Sequence, residues 1–368
     1  LQKLEEEFLA SGGIFEDCKI SDVFIVSTPK KKFDANKITF GGKYPYVARG
    51  DKNNGIRGYI SESEEYLNNG NTSSFGQDTA TIFYQKDTYF TGDKIKIFTE
   101  KSGKLNDKNA QYLLSTMKKS FSLFSWGSSS FNEDILNNTI FTLPFIKNEI
   151  AFTYMDNFIT ELQAERLQEL QGYLQVTGLS NYTLTEEEQR AIDDLDNIKW
   201  GTFNIEKLFG KATRGKRLKS ADRISGDLPF VTAGENDTGI SAFIGNDVEI
   251  FKANTITIDM FGSAKYRNYQ YGADDHIAVV HCDKLAKESV LFLTSAIHKV
   301  SNAGQFSYAK NFYAKDANEL NISLPTKNNV PDYALMKTLG SAIQKLVIAD
   351  VVKYADRELS AYQSVIGE

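Results

Sequence analysis

Six cations fall within 13 residues in the second half of the chain: Lys211, Arg214, Lys216, Arg217, Lys219 and Arg223. Cations at that density are an electrostatic footprint for a polyanion, because each phosphate they neutralise releases condensed counterions. The bland alternative for such a run is a solvated loop. The first half holds a smaller cluster, Lys30, Lys31, Lys32 and Lys37, with Arg49 and Arg57 further on. A second candidate follows a glycine turn at Gly262, in the stretch Ser263 to Tyr271 that contains Lys265, Tyr266, Arg267 and Asn268. Arg, Asn and Gln suit bidentate reading of guanine and adenine edges, and interleaved Tyr can stack. The alternative is a tyrosine-rich hairpin whose rings lie on a sheet. A third candidate is the turn Ala303 to Ser307 around Gly304 and Gln305, set against Trp126 to Ser130 in the first half. Glycine turns bring backbone amides close to phosphates, and they are also simply turns.

Catalytic constellations are harder to find. An amino-methyltransferase of the common kind needs an Asn/Asp-Pro-Pro-aromatic loop, and no proline here follows Asn, Asp or Pro. No GxxxxGK[ST] loop occurs, which excludes an ordinary ATP-driven motor. Asp332 after Pro331 opens an amphipathic run, so it reads as a helix cap in preference to a nuclease residue. His276, His281 and His298 lack metal spacing with cysteine or with one another, so no metal site is expected. Cys18 and Cys282 are too few for a disulfide framework and sit in strand-like text, as buried small apolar residues do.

The elements that position these clusters emerge from self-comparison. Tyr44 to Ile60 lies over Leu228 to Ile244 at an offset of 184 without a gap, with six of 17 positions identical, including Pro45/Pro229 and Gly55/Gly239. The match extends through Phe15/Trp200, Phe75-Gly76/Phe261-Gly262, Tyr112/Phe292, Phe131/Phe312, Leu143-Pro144/Leu324-Pro325 and Met155/Met336. The chain is therefore a tandem duplication, and the two basic clusters occupy equivalent places between the first strand and the Pro-aromatic-Val strand. Each copy holds short β-branched and aromatic runs such as Thr255 to Ile258, which read as strands. Each then changes to helical spacing, through Met155, Phe158, Ile159 and Leu162 in the first copy and Met336, Leu339, Ile343 and Leu346 in the second. Thr185 to Glu188 has capping-box spacing before a further short helix, whose counterpart is Leu4 to Leu9. The expectation is an α+β fold with an N-terminal helical segment 1–11, strand-rich domains 12–149 and 196–330, a central helical spacer and linker 150–195, and a C-terminal helix 331–368.

The 368 residues carry 42 basic and 48 acidic side chains, a net charge of −6 that at face value opposes a nucleic-acid partner. By segment the objection dissolves. Residues 1–150 hold 19 of each sign, 196–330 hold 17 basic and 15 acidic, and the deficit of seven lies in 151–195. No run of roughly 18 apolar residues exists and the start is acidic, so neither a membrane span nor a secretory signal is expected, and the reading is cytoplasmic. The chain lacks an initiator Met and opens in mid-helix, which reads as a trimmed chain or part of a longer one.

Collectively, the strings FNIEKLF, GKRLKSADRI, LPFVTAGENDTGISAFIG, TITIDMFGSAKYRNYQYGADDHIAVV and ISLPTKNNVPDYALM, with the two-fold repeat of domain and helix, resemble the DNA-specificity (S) subunits of bacterial type I and related type IIB restriction-modification systems. The resemblance implies two target-recognition domains, each binding one half of a split double-stranded DNA site. It further implies an antiparallel coiled-coil spacer, here through Met155, Phe158 and Leu162 against Met336, Leu339, Ile343 and Leu346. Two methyltransferase (M) subunits would dock on the spacer and bring S-adenosylmethionine. Restriction (R) subunits are further implied partners, and this chain would itself be a non-catalytic reader without a cofactor. The runner-up makes it the recognition region of a fused type II methyltransferase-endonuclease. A different class is a two-domain scaffold or carbohydrate-binding protein.

Overall fold

The structure is a computed structural model and describes residues 1–122 and 132–366. It divides into two compact units, Leu1–Leu170 with Leu359–Glu368, and Gln171–Glu358. The first contains α1 (Gln2–Ala10), β1 (Gly13–Lys19), α2 (Ile20–Val23), β2 (Phe24–Ser27), β3 (Phe40–Val47), β4 (Ile56–Ile60), β5 (Thr72–Gly76), β6 (Thr81–Gln85), β7 (Phe90–Thr91), β8 (Ile95–Glu100), α3 (Asp107–Phe121), α4 (Glu133–Asn138), β9 (Ile140–Ile146), β10 (Glu149–Ile150) and most of α5 (Phe152–Val176). The second contains α6 (Glu186–Asp193), β11 (Trp200–Asn204), α7 (Ile205–Phe209), β12 (Thr213–Arg214), β13 (Ser225–Val231), β14 (Ile240–Ile244), β15 (Thr255–Asp259), β16 (Ala264–Arg267), β17 (Gly272–Ala273), β18 (Ile277–Val280), α8 (Lys287–Ser301), α9 (Ala314–Glu319), β19 (Asn321–Lys327), β20 (Val330–Pro331) and most of α10 (Tyr333–Ile366).

The duplication holds at the level of topology. In the first unit the strand orders are β1-β9-β10, β2-β8-β5-β6 and β4-β3-β7; in the second they are β11-β19-β20, β12-β18-β15-β16 and β14-β13-β17. Among the strand pairs of the described residues, β3-β7 and β13-β17 run parallel and the others antiparallel. Pro45 and Pro229 each sit in a strand between two register shifts, the irregular setting in which proline is tolerated inside a sheet. The hairpins β9-β10 and β19-β20 each turn on two left-handed residues, Lys147-Asn148 and Asn328-Asn329, the twist that matches two-residue connections. Gly262 has a positive φ and no room for a side chain, since a Cβ there would lie 2.0 Å from the Ser301 carbonyl.

Each unit closes its own core with the first turns of its long helix. Met155 is fully buried with Phe24, Phe75, Phe98, Leu113 and Phe141, and Met336 with Ile256, Ile258, Leu293, Ile297 and Leu324. Asp332 caps α10, accepting the Leu335 N–H at 2.9 Å. The Thr185-Glu188 capping box forms as its spacing predicts. Among the described residues, no helix is long and apolar enough to cross a membrane.

Candidate nucleic-acid interface

In the second unit the basic loop is pinned by its backbone and free at its side chains. Arg214 lies in β12, paired with β18. Gly215 then lets the chain press against β17, where a Cβ would fall 1.8 Å from the Ala273 carbonyl oxygen, and the Lys216 N–H donates to that oxygen at 3.0 Å. The Leu218 N–H donates to Asp274 at 3.3 Å. Lys211, Arg214, Lys216, Arg217 and Lys219 are exposed, and none of them enters an ion pair among the described residues. Arg223 behaves differently. Half-buried, it donates to the Ser241 hydroxyl at 3.2 Å and the Leu218 carbonyl at 3.4 Å, with its guanidinium 5.1 Å from the Phe230 ring centre. That stacked arginine ties the loop to β13 and β14.

The equivalent loop of the first unit meets acids. Lys32 pairs with Asp93 at 3.5 Å and Lys37 with Asp34 at 3.7 Å, while Arg49 and Lys94 share Asp78. The hydrogen bond from Lys94 is the first cause holding the Asp78 carboxyl below the usual carboxylate range. Lys31 places its ammonium 4.1 Å from the Tyr66 ring centre and 4.9 Å from that of Phe33. Lys30 is exposed, and its N–H donates to the Asn68 side chain at 3.2 Å. Lys32, Arg49 and Arg57 nevertheless converge on one cleft of about 540 Å³, lined also by Asp34 and Asp93. Asp34 sits in the same loop as Lys37, whereas Asp93 and Asp78 arrive from elsewhere in the chain, and for those two the sequence offered no signal.

The stretch Ser263 to Tyr271 forms the second strand of the β15-β16 hairpin and its exit, and most of its polar groups turn inward. Arg267, expected to read a base edge, is buried to 1% exposure. Its guanidinium donates to the Thr257 hydroxyl at 2.9 Å, the Thr238 carbonyl at 2.9 Å and the Tyr269 hydroxyl at 3.0 Å. A guanidinium with its donors spent inside the domain has none to offer a base. Lys265 pairs with Glu235 at 3.2 Å and Asp259 at 3.5 Å, and the Tyr266 hydroxyl donates to Asn254 at 3.1 Å with its ring against the core. Asn268 alone of the four is exposed. The strand is covered on both faces, so neighbours that point to opposite sides are both enclosed, Tyr266 against the core beneath α8 and Arg267 under the turn at Thr238. Gln305 is exposed, but its amide donates to the Val300 carbonyl at 2.7 Å near the end of α8. Trp126 to Ser130 and Phe131 lie outside the described residues.

The helix stripes also divide. Met155 and Met336 belong to domain cores, and Phe158 packs on Tyr112 at 5.3 Å within the first unit. Leu162 is half-buried and Leu339 is buried, whereas Ile343 and Leu346 are about half exposed. The positions that α10 buries further along are Ala342, Val352, Ala355 and Leu359. The buried face of α10 thus departs from the stripe that spacing singled out, because the helix is apolar on more than one face.

Burial pushes the Cys18 and Cys282 thiols up to about 12, which leaves them unreactive. Among the described residues one side-chain group, Asp274, Asp275 and His276, brings possible ligand atoms within 4.8 Å of one another. Asp275 Oδ1 lies 3.2 Å from His276 Nδ1, and Asp274 accepts the Leu218 N–H of the basic loop.

Two tandem domains of one topology, each with a basic loop at the same place, define a repeated recognition module. Residues 14–172 and 197–354 each match the family described as type I restriction modification DNA specificity domain, and the chain belongs to that family. It is a restriction-modification specificity subunit with two DNA-specificity domains in tandem. Among characterised proteins it is similar to the specificity subunit S.BcgI of a type II restriction enzyme from Heyndrickxia coagulans, 25% identical over 341 residues that cover 89% of this chain and 94% of that one. Its fold matches the S subunit of a type I restriction-modification system from M. genitalium, with a TM-score of 0.62, 17% identity, and coverage of 96% of this chain and 94% of that one.

Proposed function

We infer that this chain reads a split double-stranded DNA site, one half with each domain, and directs methyltransferase subunits to it. The observation that carries the reading is the basic loop between β12 and β13, with its exposed Arg214, Lys216, Arg217 and Lys219, repeated at the equivalent place between β2 and β3. Phosphate contacts supply sequence-independent affinity and position the domain, while base edges supply discrimination worth about 1 to 3 kcal/mol for each well-matched pair. Two tethered domains multiply effective concentration, so neither needs high affinity alone. The recognition domains span 12–149 and 196–330, and α5 and α10 form the spacer that fixes the half-site separation. Exposed Ile343, Leu346, Val347 and Tyr354 on α10 support docking of a methyltransferase subunit on the helices. The chain itself is a non-catalytic reader. S-adenosylmethionine belongs to the methyltransferase subunits, restriction subunits are further partners, and the assembly works in the bacterial cytoplasm.

Binding of the methyltransferase-bound chain to random-sequence duplex, titrated with salt, tests this reading. A steep linear fall of log affinity with log salt is expected. A flat salt response or no binding would remove DNA as the partner.

A further inference from the structure

The two units share a strained turn whose residues differ. Between β3 and β4 the chain turns through Asn53, Asn54 and Gly55, all left-handed at φ of 48°, 55° and 75°; between β13 and β14 it does so through Asp237, Thr238 and Gly239, at 47°, 55° and 84°. Thr238 is β-branched, the type of residue least suited to this region. Each turn is closed by the same backbone bond, Ala48 N–H to the Gly55 carbonyl and Thr232 N–H to the Gly239 carbonyl, both at 2.8 Å. Strain kept in both copies while the sequence diverged is the mark of a conformation that function requires.

Beneath each turn lies a buried donor at an equivalent strand position. Gln85 pairs in register with Thr72, and Arg267 with Thr255. Gln85 is 3% exposed, and its amide donates to the Asn54 carbonyl and the Ser74 hydroxyl, both at 3.0 Å. Arg267 makes the same two bonds, to the Thr238 carbonyl and the Thr257 hydroxyl, both at 2.9 Å. Different chemistry thus performs one task, holding the carbonyl of the second left-handed residue. Above it the turns present Arg49 to Asn54 and Glu235 to Thr238, all exposed. In the first unit the turn also borders the cleft of Lys32, Arg49 and Arg57.

We propose that Gln85 and Arg267 are positioning residues that hold these two turns rigid as specificity-determining elements, one for each half of the DNA site. The proposal rests on the split-site reading above. A rigid turn loses little entropy when it meets a base edge, whereas a loose one gives up discrimination first.

The test uses the full chain with its methyltransferase subunits and selection from a pool of random-sequence duplexes. Arg267→Met should blur the selected bases in one half-site and weaken binding to the selected duplex by about 10- to 100-fold, leaving random-duplex binding and its salt slope unchanged. Gln85→Met should do the same in the other half-site. Arg267→Gln, which installs the donor that the first unit uses, should restore selection. Thr238→Gly keeps the carbonyl that Arg267 holds at 2.9 Å, gives up only the 3.4 Å bond to the Thr238 hydroxyl and loosens the turn, so it should lose selectivity even if Arg267→Met fails to fold. Selection kept by Thr238→Gly and Gln85→Met would overturn the proposal, as would an Arg267→Gln protein that selects different bases. Failure of the unsubstituted complex to bind any duplex would instead overturn the split-site reading.

Discussion

The two units offer cations at the same place in very different states of readiness. In the second, Lys211, Arg214, Lys216, Arg217 and Lys219 are exposed and enter no ion pair among the described residues. In the first, Lys32, Lys37 and Arg49 are each paired with a carboxylate, and Lys31 rests on two rings. A phosphate reaching the first unit must displace an acid, although exposed pairs of this kind are worth only about 0 to 1 kcal/mol each. Counting cations therefore overstates the first unit's attraction for DNA, and the second should provide most of the sequence-independent affinity. The helix preceding each domain is anchored in equally different ways. α1 lays Phe8 on Tyr154 with ring centres 4.1 Å apart. α6 instead sends Glu188 to α10, where it accepts from Ser341 at 2.6 Å and Lys345 at 2.8 Å.

The largest effect should come from neutralising Lys216, Arg217 and Lys219 together. Affinity for every duplex is expected to fall by about 100-fold, and the salt slope by about 3; an unchanged slope would take this loop out of the interface. Next comes Glu188. Burial alone raises its pKa, but the bonds from Lys345, Ser341 and the Thr185 N–H outweigh this and bring the carboxyl down from 4.5 to about 2. Because the folded value is the lower one, its stabilisation is complete above pH 4.5 and disappears as pH falls toward 2. Glu188→Gln should cost about 2 kcal/mol at neutral pH and flatten that part of the acid-unfolding profile. An identical profile in the variant would show that the contact contributes nothing.

Neutralising Lys30, Lys31 and Lys32 should weaken binding by only about tenfold, and a loss equal to that from the second loop would erase the contrast between the units. The smallest change is a gain. Asp78→Asn frees Arg49 and Lys94, and random-duplex affinity should rise by about threefold. A fall in affinity would mean that Asp78 orders the cleft more than it neutralises it.

Much of this was legible in the residues. The offset of 184 between Tyr44 to Ile60 and Leu228 to Ile244 announced the duplicated topology, and Asp332 and Thr185 announced their caps. The site was legible only in part. Lys216, Arg217 and Lys219 stand exposed in a loop as their density suggested, because polar loop residues have few ways to be buried. Arg267 and Tyr266 looked equally suited to reading bases, yet both faces of their sheet are covered and each side chain is enclosed on its own side. Met155 headed the stripe of one helix by spacing, and Met336, Ile343 and Leu346 shared that of the other. In the fold the two methionines close domain cores, while the other two lie on an exposed face.

The sequence by itself determined the repeat, the change from strand to helix within each copy, and the placement of charge away from the acidic residues 151–195. These are local or periodic properties, written in residue order. Only the tertiary structure decided which cations are neutralised and which donors are spent. Asp93, Asp78 and Thr238 reach Lys32, Arg49 and Arg267 from strands and turns remote in the chain, and pairing across such distances is set by sheet register and loop closure.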